Sequence, residues 1–324
     1  MMEPQPDRAV SSSRQIGQRI FSGLSILICL LAINVIIREF SGINWRDVLN
    51  NINHISLLEM GIALLFVLCS YGAIACYDIL AFKYIQKQLA IHKIAFAGLI
   101  TYSISPNVGF AFLSGSVLRY RLYRQWNISH FDIAKIIAFT NFNLWVGLIP
   151  ITGFVFSFNY FPIPEEIDLP FVEKSVRDLG LFLLSISGIY LLGSIFIRKP
   201  LQWKTYQLQF PSIQVSLQQV IIFALDWGFA ALALFYLLKL PISYPFLFGV
   251  YVIAMISGLV STIPGGLGIF ETVILLFFTH LQDPEILLAT LIVFRGLYYL
   301  LPFAIAVFAL AIFEFWQNAR LRKS

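Results

Sequence analysis

The sequence predicts an all-α polytopic membrane protein: about six spanning helices, plus two opposed re-entrant hairpins broken by Pro and Gly that form an inverted repeat. Three observations carry this fold class. The hydrophobic fraction of the 324 residues is 59% and the mean hydropathy is +0.81, more apolar surface than one water-facing domain can hide. The charged fraction is 12%, against about 25% in soluble domains. The charges also fall in short clusters between uncharged runs of spanning length. The same arithmetic excludes a disordered chain. Thirty-one Phe, 14 Tyr and 6 Trp suit lipid-facing and interfacial positions. The net charge of +5 reads as a topology signal between apolar runs, so nucleic acid is not an expected partner.

The elements follow in chain order. Ile20–Ile37 is uncharged behind Arg8, Arg14 and Arg19. It is long for a signal-peptide core and no small-x-small site follows, so it reads as a retained helix. Residues 43–54 are too polar to span and suit the interface. Met60–Tyr77 continues through Asp78 to about Phe82, and Ile94–Leu118 carries Ser105-Pro106-Asn107-Val108-Gly109 in its middle. Proline removes a donor and clashes with the preceding turn, and Asn and Gly permit a reversal, so the break is expected there. Ile136–Phe158, Leu179–Ile197 and Ile213–Leu238 read as helices, the last interrupted by Asp226. Pro245–Phe278 holds the second break, Ser261-Thr262-Ile263-Pro264-Gly265-Gly266-Leu267-Gly268, and Ile286–Phe313 is interrupted by Arg295. The domain reading is a tail 1–19, one membrane domain 20–313 and a basic tail 314–324. Both tails are assigned to the cytoplasm.

Charge placement decides how the broken segments lie. If both enter and return, sixteen of the 22 basic residues fall inside and five outside. If both cross, the split drops to 12 against 9. The sharper positive-inside bias favours two hairpins entering from opposite sides. The halves also correspond: at an offset of 152, Tyr84 matches Tyr236, Lys87 matches Lys239, Phe142 matches Phe294 and Pro150 matches Pro302. Repeat one covers about 55–158 and repeat two about 213–313, with the first helix and the 179–197 helix outside both. Inverted repeats with broken helices near the midplane mark transporters, because unwound backbone needs protein or a wet cavity to satisfy it.

Charge inside a membrane is expensive and points to function. The candidates for substrate binding or gating are Asp78, Arg119, Asp226, Glu271 and Arg295. Glu271 stands three residues past Gly268, beside a turn whose free N–H groups suit an anion. Arg295 lies at comparable depth, and the pair reads either as a structural bridge or as a gate that releases Arg295 to a phosphate headgroup. Arg119 leads a run with Arg121 and Arg124 whose guanidinium forks match phosphate oxygens or simply anchor the interface. Asp78 or Asp226 can face Arg119, or carry a coupling proton. Asn141 and Asn143 line a cavity or bridge helices. The hairpin-turn residues are Ser105, Pro106, Asn107, Gly109, Ser261, Pro264, Gly265, Gly266 and Gly268. Cys29, Cys69 and Cys76 lie in apolar runs as packing residues, and the four His show no ligand spacing. No metal and no cofactor is expected, since no nucleotide-binding or nucleophile motif occurs.

Two of these stretches, Ser105–Tyr123 and Ser261–Glu271, resemble the membrane domain of bacterial lysylphosphatidylglycerol synthases, the multiple peptide resistance factors, and the inner-membrane proteins that share that domain alone. The resemblance covers about 20–313, and the charged positions that match are Asp78, Arg119 and Glu271. It implies a lipid flippase in the bacterial cytoplasmic membrane, acting on a phospholipid or lipid-linked substrate. It also implies that the aminoacyl transfer belongs to a soluble domain absent after Ser324, so no enzyme activity is expected. The alternative is a membrane subunit of a lipid-modifying enzyme, aminoacyl- or glycosyl-transferring, whose soluble part is a separate chain. The expected partners are the bilayer, the lipid, and either such an enzyme or a second copy of the chain.

Overall fold

In the computed structural model the described residues are 46, 50, 51, 55–109, 111–158, 170–197, 201–203, 206–261 and 264–321. The expected first helix, Ile20–Ile37, and nearly all of 43–54 lie outside them. The remaining five spanning helices are present: by length and composition Leu57–Tyr84, His130–Ser157, Ser175–Phe196, Ile213–Leu238 and Pro284–Gln317 can each cross a membrane. The chain is thus an all-α polytopic membrane protein. A two-stranded antiparallel ribbon, β1 (Leu201–Trp203) and β2 (Tyr206–Leu208), links two of the helices. Apolar run lengths gave no sign of it.

The first long helix, α1 (Leu57–Tyr84), starts on a capping box. Glu59 N–H donates to Ser56 Oγ at 3.3 Å, and Ser56 N–H donates to Glu59 Oε2 at 2.9 Å. These bonds satisfy two orphan donors of the first turn. Gln86, just past its end, has a left-handed φ of 55°. The first hairpin is α2 (Ile91–Val108) and α3 (Ala111–Gln125), and α4 (His130–Ser157) follows on an Ser129 N-cap. Helix α5 is Pro170–Phe196 and α6 is Ile213–Leu238, which ends on Lys239 at φ 54°. Both repeat-opening helices therefore close on a left-handed residue at nearly equivalent positions. The second hairpin is α7 (Tyr244–Ser261), a 3-10 turn at Pro264–Gly266, and α8 (Ile269–Phe278). The last long helix runs α9 (Pro284–Arg295), a π-helical segment Gly296–Leu300, then α10 (Leu301–Leu321).

Helices α1 and α6 lie antiparallel. Lys239 at the end of α6 pairs with Glu59 at the start of α1, Nζ to Oε2 2.6 Å, and Lys83 near the end of α1 donates to Gln218 at 3.0 Å. Equivalent helices of opposite direction are what an inverted repeat requires. Each hairpin also folds back on itself. A Cβ at Gly115 would lie 3.1 Å from Ser105 Oγ and 3.2 Å from Thr101, so α3 returns along α2. Rings of Tyr251 and Phe270, and of Phe246 and Phe278, meet edge to face across α7 and α8 at 5.8 Å each. The two tips touch: a Cβ at Gly265 would sit 4.0 Å from the carbonyl oxygen of Pro106.

Several boundaries differ from the sequence reading, as where α4 starts at His130 and α10 runs on to Leu321. Pro106 and Asn107 stay helical, and the first reversal comes at Gly109 (φ 84°, ψ 168°). The Asn107 side chain donates to Ser103 O at 2.8 Å, which props the turn that proline weakens. The return arm extends to Gln125, so Arg119, Arg121 and Arg124 lie on the hairpin itself instead of after it. Helix α5 begins at Pro170, nine residues before the apolar run, because its first turns are polar. Helices α4 and α5 cross on small residues. A Cβ at Gly180 would come within 2.6 Å of Ser157 N, the close approach that membrane helices use.

Two buried clusters fill the interior. One joins the upper half of α1 to α6–α9, around Trp227, Leu234, Tyr251 and Phe294. The other joins the lower half of α1 to α2, α3, α4 and α10, around Phe82, Leu118, Tyr123 and Phe303. Leu179, Phe182, Ile189 and Phe196 of α5 face outward, as lipid-facing positions do.

Candidate functional site

Three carboxylates, Asp78 and Asp226 buried and Glu271 partly buried, organise the region between the clusters. The first belongs to the first hairpin. Arg119, on α3, forks onto Asp78 of α1: Nε to Oδ1 at 2.9 Å and Nη2 to Oδ2 at 2.8 Å. Tyr123, one turn further along α3, donates to Asp78 Oδ1 at 2.7 Å. The guanidinium lies 4.8 Å from the centroid of the Tyr102 ring on α2. Asp78 is fully buried and Arg119 is 3% exposed, so the pair is out of water and held by shape. Glycines make the room. A Cβ at Gly98 would lie 3.2 Å from Asp78 Oδ2, and one at Gly115 would lie 3.5 Å from Arg119 Nη1. Beside that edge of the fork, the hydroxyls of Thr101 and Ser105 are buried with no hydrogen-bond partner among the described residues.

The second belongs to the second hairpin. Gly265, Gly266 and Gly268 all take positive φ, 62°, 62° and 78°, which L side chains tolerate poorly. The turn exposes its carbonyls, and Arg295, on the last residue of α9, collects them: Nη1 to Gly265 O at 3.0 Å and Nη2 to Gly266 O at 3.4 Å. The same guanidinium bonds Glu271 through Nε to Oε1, and through Nη2 to Oε2 at 3.0 Å. Glu271 Oε2 also accepts the Gly268 N–H at 2.8 Å, capping α8 with an acidic residue in its first turn. Rings of Phe270 and Tyr299 flank the guanidinium. The side chains keep some access, 8% for Arg295 and 14% for Glu271.

The third carboxylate has no cation among the described residues. Asp226, in the middle of α6, accepts from Ser70 Oγ at 2.5 Å, from Tyr77 OH at 2.9 Å and from Tyr298 OH at 3.4 Å. Tyr77 and Asp78 are neighbours on α1, and adjacent helical residues face different ways. One turn of α1 thus serves two carboxylates.

Of the sequence candidates, the structure joins Asp78 to Arg119 and Glu271 to Arg295, and sets Asp226 apart from both pairs. Arg121 reaches Glu314 of α10 at 2.5 Å and Arg124 donates to Ile128 O at 2.9 Å, which are structural uses. Asn143 is buried with its Oδ1 unpaired. Ser261 closes α7 and Pro264 opens the 3-10 turn. Sequence reasoning missed Ser70, Tyr77, Tyr123 and Tyr298. The available signal was a hydroxyl residue within a turn of a buried charge, as Tyr123 is of Arg119.

A polytopic membrane protein with two broken hairpins meeting at their tips, each carrying an arginine–carboxylate pair, buried in the first and partly buried in the second, is the class that this geometry defines. The chain is 38% identical to the uncharacterized protein slr0712 of Synechocystis over 91% of both proteins, and it belongs to the same family. It is also 26% identical to the Escherichia coli inner membrane protein YbhN over 93% of each chain. It is 26% identical to a phosphatidylglycerol lysyltransferase of Staphylococcus aureus over 95% of this chain but 36% of that protein, so the likeness is to the membrane part of the lysyltransferase. No family model matches the chain.

Proposed function

We propose that the protein moves a phospholipid or modified lipid between the leaflets of the bacterial cytoplasmic membrane. One observation carries the reading: two opposed hairpins meet at Pro106 and Gly265, and each holds a guanidinium forked onto a carboxylate. A phosphate diester offers oxygens in the same spacing as a carboxylate, so it can replace the carboxylate on the fork without new geometry. The headgroup passes between the tips while its tails stay in lipid. Arg295 exchanges first, since its pair is the more accessible. Arg119 takes the phosphate next through its edge at Ser105 and Gly115, while Tyr123 continues to hold Asp78. Asp78 and Glu271 gate the path and offer a site for an amine on a modified headgroup. Both termini are cytoplasmic in this reading, on the basis of the charge split. No bond-making step is assigned to the chain.

A second reading is favoured by the lysyltransferase likeness, which covers 36% of that relative. Here the chain is the membrane subunit of a lipid-modifying enzyme. The two are separated in proteoliposomes. Faster exposure of a leaflet-restricted labelled phospholipid, lost in Arg295→Ala, supports transport. New lipid species formed with an activated donor and a soluble partner support the second reading.

A further inference from the structure

Asp226 differs from the other two carboxylates in the chemistry of its shell. Arginine donates hydrogen bonds and never accepts one, so Asp78 and Glu271 are matched only when ionised. Asp226 is surrounded by Ser70, Tyr77 and Tyr298, and among the described residues no cation pairs with it. Hydroxyls both donate and accept. The same cage fits an ionised carboxylate taking three bonds, and a neutral acid that donates one bond to a rotated hydroxyl. Among the described residues the groups that bond it are hydroxyls, which favour the ionised form as donors and serve the neutral form as acceptors. Helix α1 presents Ser70, Tyr71 and Tyr77, the π-helical segment presents Tyr298, α7 presents Tyr251, and α2 presents Tyr102 further off. Among the described residues, α4, α5 and α9 give its carboxylate no hydrogen bond.

The cage is also wired to the second hairpin. Tyr298 sits three residues after Arg295, inside the π-helical segment. Its hydroxyl reaches Asp226 and lies 3.1 Å from Ser70 Oγ, and its backbone carbonyl accepts from Tyr71 OH at 3.0 Å. A π-bulge in a long helix is a local misfit often found at functional sites. Here it is the point where α1 and Asp226 hold the strand of backbone that aims Arg295 at the hairpin tip.

We propose that Asp226 is a proton-binding site, filled and emptied once per transport cycle, and that Tyr298 transmits its state through the π-helical segment to Arg295. The proposal rests on the transport reading for its cycle, though not for the proton site. With Asp226 ionised, Tyr298 is drawn in as a donor and Arg295 stays on Glu271 and the Gly265–Gly266 turn. With Asp226 neutral, the proton goes to a cage hydroxyl as a hydrogen bond, Tyr298 is released, and the register of the segment is free to shift Arg295 toward a headgroup phosphate.

The test uses the full chain in vesicles of anionic phospholipid. Infrared difference spectra taken across the near-neutral pH range are expected to show a carboxylic-acid C=O band that grows on acidification. The band is lost in Asp226→Asn and kept, but moved, in Asp226→Glu, which guards against an unfolded Asn variant. A band unchanged in Asp226→Asn, or no titrating band in the wild type, overturns the proton site. An imposed pH gradient is then expected to change the rate of labelled-lipid transfer in the wild type and not in Tyr298→Phe. A wild-type rate indifferent to the gradient overturns the coupling. If no lipid moves in any vesicle, the transport reading fails, while the infrared band still decides the proton site.

Discussion

The two hairpins hold the same ion pair in different ways. In the first, the carboxylate is the centre: Asp78 collects Arg119 twice and Tyr123 once, and nothing there is exposed to water. In the second, the arginine is the centre: Arg295 gathers both oxygens of Glu271 and two carbonyls of the glycine turn, with a window to the outside. One pair fixes three helices to each other, and the other clamps a turn. A buried pair is costly to break because the survivor is left uncompensated, so the first hairpin is the rigid half. The second has backbone carbonyls that keep the guanidinium satisfied when the carboxylate leaves, and it is the half that can move.

The largest expected effect breaks the rigid half. Asp78→Ala leaves Arg119 buried without a counter-charge and costs about 3–5 kcal/mol, read as a fall in the thermal unfolding temperature of the detergent-solubilised protein. Adding Arg119→Met to Asp78→Leu is expected to return most of that stability, because paired apolar replacement is often neutral, yet leave lipid transfer lost. Recovery of transfer with stability would show that the first pair is only a bridge.

Glu271→Gln comes next. The amide can still accept the Gly268 N–H, and Arg295 keeps its two carbonyls, so the expected stability loss is about 1.5–3 kcal/mol, that of one charged hydrogen bond. Lipid transfer is expected to fall further than stability does. A variant as unstable as Asp78→Ala would erase the difference between the halves.

Glycine substitutions sharpen the contrast at about 1–2 kcal/mol each. Gly115→Ala is a steric problem, with Ser105 Oγ only 3.1 Å from the new methyl, and Ser105→Ala is expected to relieve part of it. Gly265→Ala is a backbone problem at φ 62°, costing roughly 1–2 kcal/mol, and no neighbouring truncation relieves it. Unfolding midpoints of the four single and double variants check this. The smallest effect lies outside both hairpins: Lys239→Ala, which removes the partly exposed bridge to Glu59, is expected to cost about 0.2–1 kcal/mol and leave transfer unchanged.

Most of the fold could be read from run lengths, since a membrane helix declares itself by an uncharged stretch. Ile213–Leu238 matches the observed α6 at both ends. The Glu271–Arg295 pair was also within reach, because a glycine turn next to a buried acid asks for a buried base. The first break was legible as the stretch Ser105–Gly109, and the structure puts the reversal at its last residue, Gly109, where φ is 84°, while Pro106 and Asn107 stay helical. The Asp226 cage was out of reach: its donors come from α1 and from a π-helical segment. No spacing in one sequence brings Ser70 and Tyr298 to one carboxylate. Asp78 and Asp226 look alike as intramembrane acids, and only their neighbours tell them apart.

The most direct test is the rate at which a fluorescent phospholipid, confined at first to one leaflet of a proteoliposome, becomes accessible to a membrane-impermeant quencher on the other side. The wild type is expected to exceed protein-free vesicles, and Arg295→Ala and Glu271→Gln to fall back toward them while still folded. Equal rates for the wild type and both variants would contradict the account.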